Sequence, residues 1–296
     1  MLWRIGPDKS IDLARPLVLA ILNVTPDSFS DGGQLDNLDA VAHACERARA
    51  HGAGGVDIGG ESTRPGATRI SAGEQITRVV PAIRTARRIL GDQPVISIDT
   101  TLSAVATAAF DAGADVVNDV SGGTEDGAML SLCEQRRCGV ILMHRLRAPG
   151  EDRFSDQYTP SDRPRYIDVV REVGEHLALR VRAALDAGVA RQAIVIDPGL
   201  GFGKSVEQNL ELIDRSREVI TIASAGGSSL PLLSGLSRKS FVGRFMKLPE
   251  GGTPKQRVRG SVELSLKHRA SGASIFRVHD VREHAKALGL IAGHTA

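Results

Sequence analysis

Acids, amides and cations recur in this sequence at one kind of place, the residue or two where a short apolar run ends. Asn23 follows Leu17–Leu22, Asp99 follows Val95–Ile98, and Asn118 with Asp119 follows Val116 and Val117. His144 follows Val140–Met143, and Asp197 closes Ile194–Ile196. Ser237-Arg-Lys-Ser240 comes after Leu230–Ser234, Arg277 and His279 close Ser274–Val278, and a Gly59–Gly66 loop follows Val56–Ile58. Carboxylates and amides pair with a nitrogen-rich heterocycle, cations bind an anion, and an oxygen such as that of Asn23 suits Mg²⁺ shared with a phosphate. Together they describe a group transfer in which a phosphate ester or diphosphate leaves. A Gly-x-Ser-x-Gly elbow, a Ser/His/Asp signature and a zinc-ligand Cys/His set are missing from the sequence, which disfavours hydrolysis by a nucleophile or zinc.

Each position also has a plain structural reading. Asp99 could cap a helix starting near Thr101, and Asn118 and Asp119 could be turn formers. Arg277 and His279 could serve an ion pair with Asp280 or a core histidine, and Ser237–Ser240 could be a solvated basic turn. Asp197 is set apart by Pro198 and the glycines 199, 201 and 203, which leave little side-chain bulk beside it. The following Gly203-Lys204-Ser205 imitates a phosphate-binding P-loop, but the glycine required five residues before Gly203 is Pro198, which has no N–H to offer. Lys204 therefore reads as a surface or loop-stabilising residue, and Gly199–Gly203 as room for a ligand against the backbone.

The elements that position these residues follow from periodicity. Leu38–Ala50 has helical spacing with Val41, Ala44, Cys45 and Ala48 on one face, and Gln75–Leu90 is a second helix with a bend or boundary expected at Pro81. Four glycines, Gly52, Gly113, Gly188 and Gly272, punctuate helix ends ahead of apolar runs, the mark of repeated βα units. Strands near 17–22, 56–58, 95–98, 115–118, 140–143, 194–197, 230–234 and 274–278 make about eight, enough to close a (β/α)₈ TIM barrel whose strand C-termini share one cavity. Residues 1–16 read as a strand or hairpin covering one end, and 17–296 as a single barrel domain. Arg145–Asp162 and Gly243–Lys255, charged or rich in glycine and proline, read as mobile loops over the mouth.

Composition narrows the setting. The 296 residues are 42% hydrophobic and carry a net charge of +2, so no global field favours nucleic acid or a membrane surface. Three cysteines without redox or zinc spacing suit a reducing compartment and no disulfide, and no apolar stretch reads as a signal peptide or membrane span, so the expected location is the cytoplasm.

Seven motifs resemble, in order, those of the dihydropteroate synthase family: Leu22–Gly33, Asp57–Gly66, Ile98–Thr100, Val117–Gly122, Ile196–Lys204, Gly235–Ser240 and Arg277–Val281. The resemblance spans about residues 17 to 290. It implies a transferase of folate biosynthesis that joins 6-hydroxymethyl-7,8-dihydropterin diphosphate to 4-aminobenzoate, uses Mg²⁺, acts as a homodimer and is a sulfonamide target. It further implies that Asp99, Asn118, Asp197, Lys239, Met143 and Phe202 hold the pterin. Asn23, Arg277, His279 and Thr63 would hold the diphosphate, with Asn23 on the metal. Thr63, Arg64, Pro65, Ser237, Lys239 and Ser240 would line the 4-aminobenzoate site, and Lys239, Arg277, Asp99 and Asn23 would carry catalysis, with the first two loops ordering once diphosphate binds. Two other readings share these positions: a pterin-binding paralogue without catalysis, and a folate-dependent methyltransferase. Arg145–Ser155 departs from the family pattern after Met143-His144. Leu236 stands where a narrowing of the mouth is expected, and residues 260–269 carry more charge than the small apolar helix expected there.

Overall fold

Two short strands open the chain, β1 (Leu2–Arg4) and β2 (Ser10–Asp12), paired antiparallel. The computed structural model of the chain describes residues 1–25, 38–159 and 161–292. Eight parallel strands follow: β3 (Leu17–Asn23), β4 (Gly55–Gly59), β5 (Val95–Asp99), β6 (Val116–Asp119), β7 (Gly139–Met143), β8 (Ile194–Asp197), β9 (Leu233–Ser234) and β10 (Ile275–Val278). Their order is β8-β7-β6-β5-β4-β3-β10-β9, and Ile196 N donates to Pro231 O at 3.0 Å to join the two ends. The result is the expected (β/α)₈ barrel with a hairpin at one end.

The helices wrap the outside: α1 (Leu38–Ala50), α2 (Ala72–Leu90), α3 (Ser103–Asp111), α4 (Met129–Arg136), α5 (Val169–Asp186), α6 (Val206–Asp214), α7 (Ser216–Ser224), α8 (Ser240–Phe245), α9 (Val258–Ala270) and α10 (Val281–Ala287). The four punctuating glycines take φ of 89°, 109°, 91° and 118°, the left-handed region that ends a helix without a Cβ clash. The face expected of α1 is the buried one. Pro81 does not bound its helix, which runs on from the Ser71 cap through to Leu90. The start at Ala72 places Pro81 well inside α2, where burial of Val79, Ala82, Ile83 and Ala86 outweighs one missing backbone bond. β9 is also shorter than expected, because Pro231 has no N–H to give to a ladder.

Strand residues two apart share a face, and inside the barrel this alternation separates two layers. Leu17, Leu19, Val95, Val116, Ile141, Val195, Leu233 and Ile275 form an apolar layer with Trp3, Ile5 and Leu13 of the hairpin. Trp3 is fully buried there and its Nε1 donates to Ala193 O at 3.0 Å. The next positions toward the C-terminal ends, two or four residues on, are Asp57, Asp99, Asn118, Met143, Asp197 and Arg277.

Among the described residues, both segments expected to be mobile contain packed turns. Pro149–Glu151 and Ser155–Gln157 are single 3₁₀ turns, and buried Asp152 accepts from Tyr158 Oη at 2.6 Å and Gly203 N at 2.7 Å. Gly243–Lys255 begins inside α8 and continues into a turn at Pro249–Gly251, with Arg257 donating to the Gly251 and Gly252 carbonyls. Leu236 is buried in the outer core and does not narrow the mouth. The charge on residues 260–269 falls on exposed positions, while α9 turns Gly260, Ser261, Leu264, Ser265 and His268 inward. The first-loop motif from Pro26 to Gly33, and with it the expected ordering of that loop, lies outside the described residues.

Candidate active site

Register alone brings three of the expected residues, Asn23, Asp99 and Asn118, to one level of the barrel. Asn23 is the Cα partner of Gly59, Gly59 of Asp99, and Asp99 of Asn118. Because residue 59 is glycine, nothing separates its neighbours: a Cβ there would lie 3.6 Å from Asn23 Oδ1 and 3.7 Å from Asp99 Oδ2. Asp197 stands level with Met143 on the far side.

Arg277 spans this floor. Its Nη2 donates to Asp99 Oδ2 at 2.7 Å and its Nε to Asp57 Oδ2, while Asn118 Nδ2 donates to the same Asp57 oxygen at 3.3 Å. Burial opposes charge on the guanidinium, but Asp57 and Asp99 hold its pKa above the ordinary value. Burial raises that of Asp99, opposed by Arg277 and reinforced by Asp57. Asp99 therefore serves Arg277 and caps no helix, since α3 starts at Ser103. Asp119 is the turn former, accepting from Ser121 N and Oγ at 2.7 Å and from Gly123 N at 2.9 Å. Asp280 pairs with Arg238, leaving Arg277 to the site.

Three buried acceptor atoms on this floor, Asp57 Oδ1, Asp99 Oδ1 and Asn118 Oδ1, have no partner. Buried polar atoms in a folded chain are nearly always paired, so three orphans together call for donors from a ligand. Across from them Asp197 Oδ1 accepts from Gly199 N at 2.7 Å, and burial raises this carboxyl too. Met143, Phe202 and Val120 form a small apolar wall, and Lys239 Nζ lies 4.1 Å from the centre of the Phe202 ring. Lys239 also donates to Leu200 O, and burial pulls its pKa down to about 8 against the charge of Asp197. The arrangement offers acceptors to one edge of a flat ring, an apolar face to its plane and a cation beside it.

The outer residues are less tightly knit. His279 is open to solvent at the mouth and shares with Ser237 Oγ contacts of 3.1 Å from both its backbone N and its Nδ1. Surrounding protein, Arg238, Arg277 and Arg64 lower its pKa, so it meets an anion first as a neutral N–H donor. Thr63, Arg64 and Pro65 lie on the second loop, whose Gly66 N donates to Pro149 O at 3.0 Å on the fifth. No hydrogen bond joins Thr63–Pro65 to Ser237, Lys239 or Ser240 among the described residues, and Ser240 is buried at the start of α8.

Two expectations are corrected. Gly199 and Gly201 make room for protein, not ligand: a Cβ on the first would collide with His144 O, and one on the second would lie 2.6 Å from Lys239 Cδ. Lys204 stabilises its loop as expected, yet it is nowhere near the surface, being 0% exposed. Asp57 was not among the expected site residues. The signal available was an acid between Val56 and Ile58 in a strand flanked by glycines, an inward position that no core would accept without a partner.

As for known proteins, residues 19–279 match the family model described as pterin binding enzyme. The dihydropteroate synthase of Synechocystis is 40% identical over 272 residues, covering 92% of this chain and 88% of its own. The Xanthomonas albilineans dihydropteroate synthase solved with 4-aminobenzoic acid superposes with a TM-score of 0.82 at 38% identity, covering 97% of this chain and 96% of its own. That of Burkholderia cenocepacia, complexed with 7,8-dihydropteroate, gives 0.82 at 36% identity, with 98% and 96% covered.

Proposed function

The chain belongs to the dihydropteroate synthase family of pterin-binding enzymes, and on that premise we propose that it condenses 6-hydroxymethyl-7,8-dihydropterin diphosphate with 4-aminobenzoate to 7,8-dihydropteroate and diphosphate. The single observation that carries this reading is the floor of orphaned acceptors on Asp57, Asp99 and Asn118. A pterin presents ring N–H groups and an amino group along one edge, the donors such a floor lacks. Asp197 adds a carboxylate, Phe202 and Met143 a surface for the ring, and Lys239 a cation beside it.

With the ring fixed, its diphosphate-bearing methylene points to the mouth, toward Asn23, Arg277 and His279. The methylene C–O bond breaks with its electron pair passing to the diphosphate, and the amine lone pair of 4-aminobenzoate forms the new C–N bond. The ammonium so formed then gives one proton to solvent. Arg277, already ionised and locked by two carboxylates, places positive charge where the departing oxygen gains negative charge, which costs no reorganisation during the reaction. Thr63, Arg64 and Pro65 with Ser237, Lys239 and Ser240 are the residues we assign to 4-aminobenzoate. The exposed Arg64 is the cation there for its carboxylate.

Among the described residues no three His, Cys, Asp or Glu side chains form a metal cluster. Mg²⁺ commonly keeps its waters and takes one or two protein oxygens plus substrate phosphates, a pattern that Asn23 Oδ1 at the mouth fits. Bound there, the ion would supply further charge neutralisation to the diphosphate. No helix among the described residues is long and apolar enough to cross a membrane. Three free, buried cysteines support a cytoplasmic setting, and exposed Leu179 on α5 and Leu266 on α9 offer apolar contact for a homodimer.

Mixing the purified protein with both substrates and Mg²⁺ tests the reading. Release of diphosphate together with dihydropteroate supports it. Pterin binding without turnover would make the chain a binding paralogue, and methyl transfer from a methylated folate would make it a methyltransferase.

A further inference from the structure

Lys204 is the one lysine of the described chain whose surface is wholly buried, and the reaction as derived does not touch it. Its Nζ lies 2.9 Å from Gly199 O, 2.8 Å from Phe202 O and 2.9 Å from His144 Nδ1. An ammonium has three N–H donors and no acceptor, so these three acceptors satisfy it completely and fix the His144 proton on Nε2. Burial lowers the pKa of the ammonium against the pull of Asp197, and an apolar side chain would fill the same space without that opposition. The location of the three acceptors gives the lysine its use. Gly199 N holds Asp197 Oδ1, the neighbouring Leu200 O holds Lys239, and the Phe202 ring lies beneath the Lys239 ammonium.

We propose that Lys204 is a positioning residue for the pterin pocket: its buried ammonium pins the turn from Gly199 to Phe202, so that Asp197, Phe202 and Lys239 present one preformed face to the heterocycle. The inference rests on the function proposed above. It makes the pinned turn a determinant chiefly of the heterocycle half of the site; the arylamine half stands on the second loop and the start of α8 and meets the turn through Lys239 alone.

Lys204→Met keeps length and burial but removes every donor. The expected result is a rise of about tenfold or more in the calorimetric Kd and in KM for the pterin diphosphate, with a clearly smaller rise in KM for 4-aminobenzoate, which meets the pinned turn only through Lys239. Amide hydrogen exchange across residues 199–203 should accelerate about tenfold or more while residues 95–99 are unchanged. A second pair of variants leaves the lysine in place. His144→Asn offers an acceptor oxygen near the Nδ1 position and should behave as wild type, whereas His144→Leu should reproduce Lys204→Met. Unchanged pterin affinity in Lys204→Met, or equal loss of both substrates, overturns the proposal. If Lys204→Met does not fold, the His144 pair decides, and equal behaviour of Asn and Leu overturns it. Should the wild-type protein bind no pterin, the proposed function fails instead, and exchange across residues 199–203 judges the pin alone: no acceleration overturns it.

Discussion

Arg277 Nη2 lies 2.7 Å from Asp99 Oδ2, so the guanidinium proposed to meet the anion is held by a carboxylate proposed to meet the ring. On the proposed reading, one connected set of side chains meets both halves of the pterin substrate, with Asp57 beneath as the second tether.

Asp57→Asn tests that tether. It removes the charge that holds Arg277 Nε while keeping the side-chain volume, and hydrogen bonds to charged groups contribute about 1.5–3 kcal/mol. A loss of about 10- to 100-fold in kcat/KM is expected, with a far-UV spectrum like that of the wild type. Steady-state kinetics with the pterin diphosphate varied make the check.

Lys239 gives a pH dependence of defined sign. Its ammonium titrates near 8 in the folded chain against an ordinary lysine value of 10.5, so pterin affinity should fall as pH rises through about 8. Stability should move the other way. Between those two values the unfolded chain binds more protons at this residue, so its contribution rises with pH, and it is absent from Lys239→Ala. Binding titrations and thermal melts from pH 7 to 9, compared between wild type and that variant, separate the two trends.

His279 should take up a proton when diphosphate binds, because the anion opposes the surrounding protein and the arginines that lower its pKa. Calorimetry at pH 6.5 in buffers of different ionisation enthalpy measures that uptake. It should be clearly smaller in His279→Asn.

How much of this was legible in the sequence varies with the kind of interaction. Eight apolar runs with glycine stops made the barrel readable, because strand burial and left-handed caps are local properties. Asp99, Asn118, Asp197 and Arg277 are legible as polar residues at the ends of apolar runs. Asp57 escapes that pattern because its strand runs on to Gly59, which makes it an interior residue of the strand. The sequence does not show that Lys204 is buried, because its third acceptor is His144, sixty positions earlier in the chain. Spacing shows which residues line a strand end; it does not show which charges pair across the barrel.

Two substitutions should separate stability from function. Trp3→Ala empties a fully buried site at the end of the barrel opposite the strand C-termini, so about 3–5 kcal/mol of stability should be lost with KM values near wild type. Gly199→Ala forces a side chain onto φ of 65° and into His144 O, and should cost about 3 kcal/mol or more together with pterin binding. Denaturant melts and ligand titrations on both variants test the contrast.

The central claim is that this floor of acceptors, with Arg277 and Lys239, performs the condensation. Its most direct measurement is the formation of dihydropteroate and diphosphate from the two substrates, with and without Mg²⁺, by the wild-type protein and by Lys239→Ala. The account predicts stoichiometric release of both products by the wild type and a fall of about 100-fold or more in Lys239→Ala, whose fold is retained. Hydrolysis of the pterin diphosphate alone under saturating 4-aminobenzoate, or equal turnover by the two proteins, would contradict it.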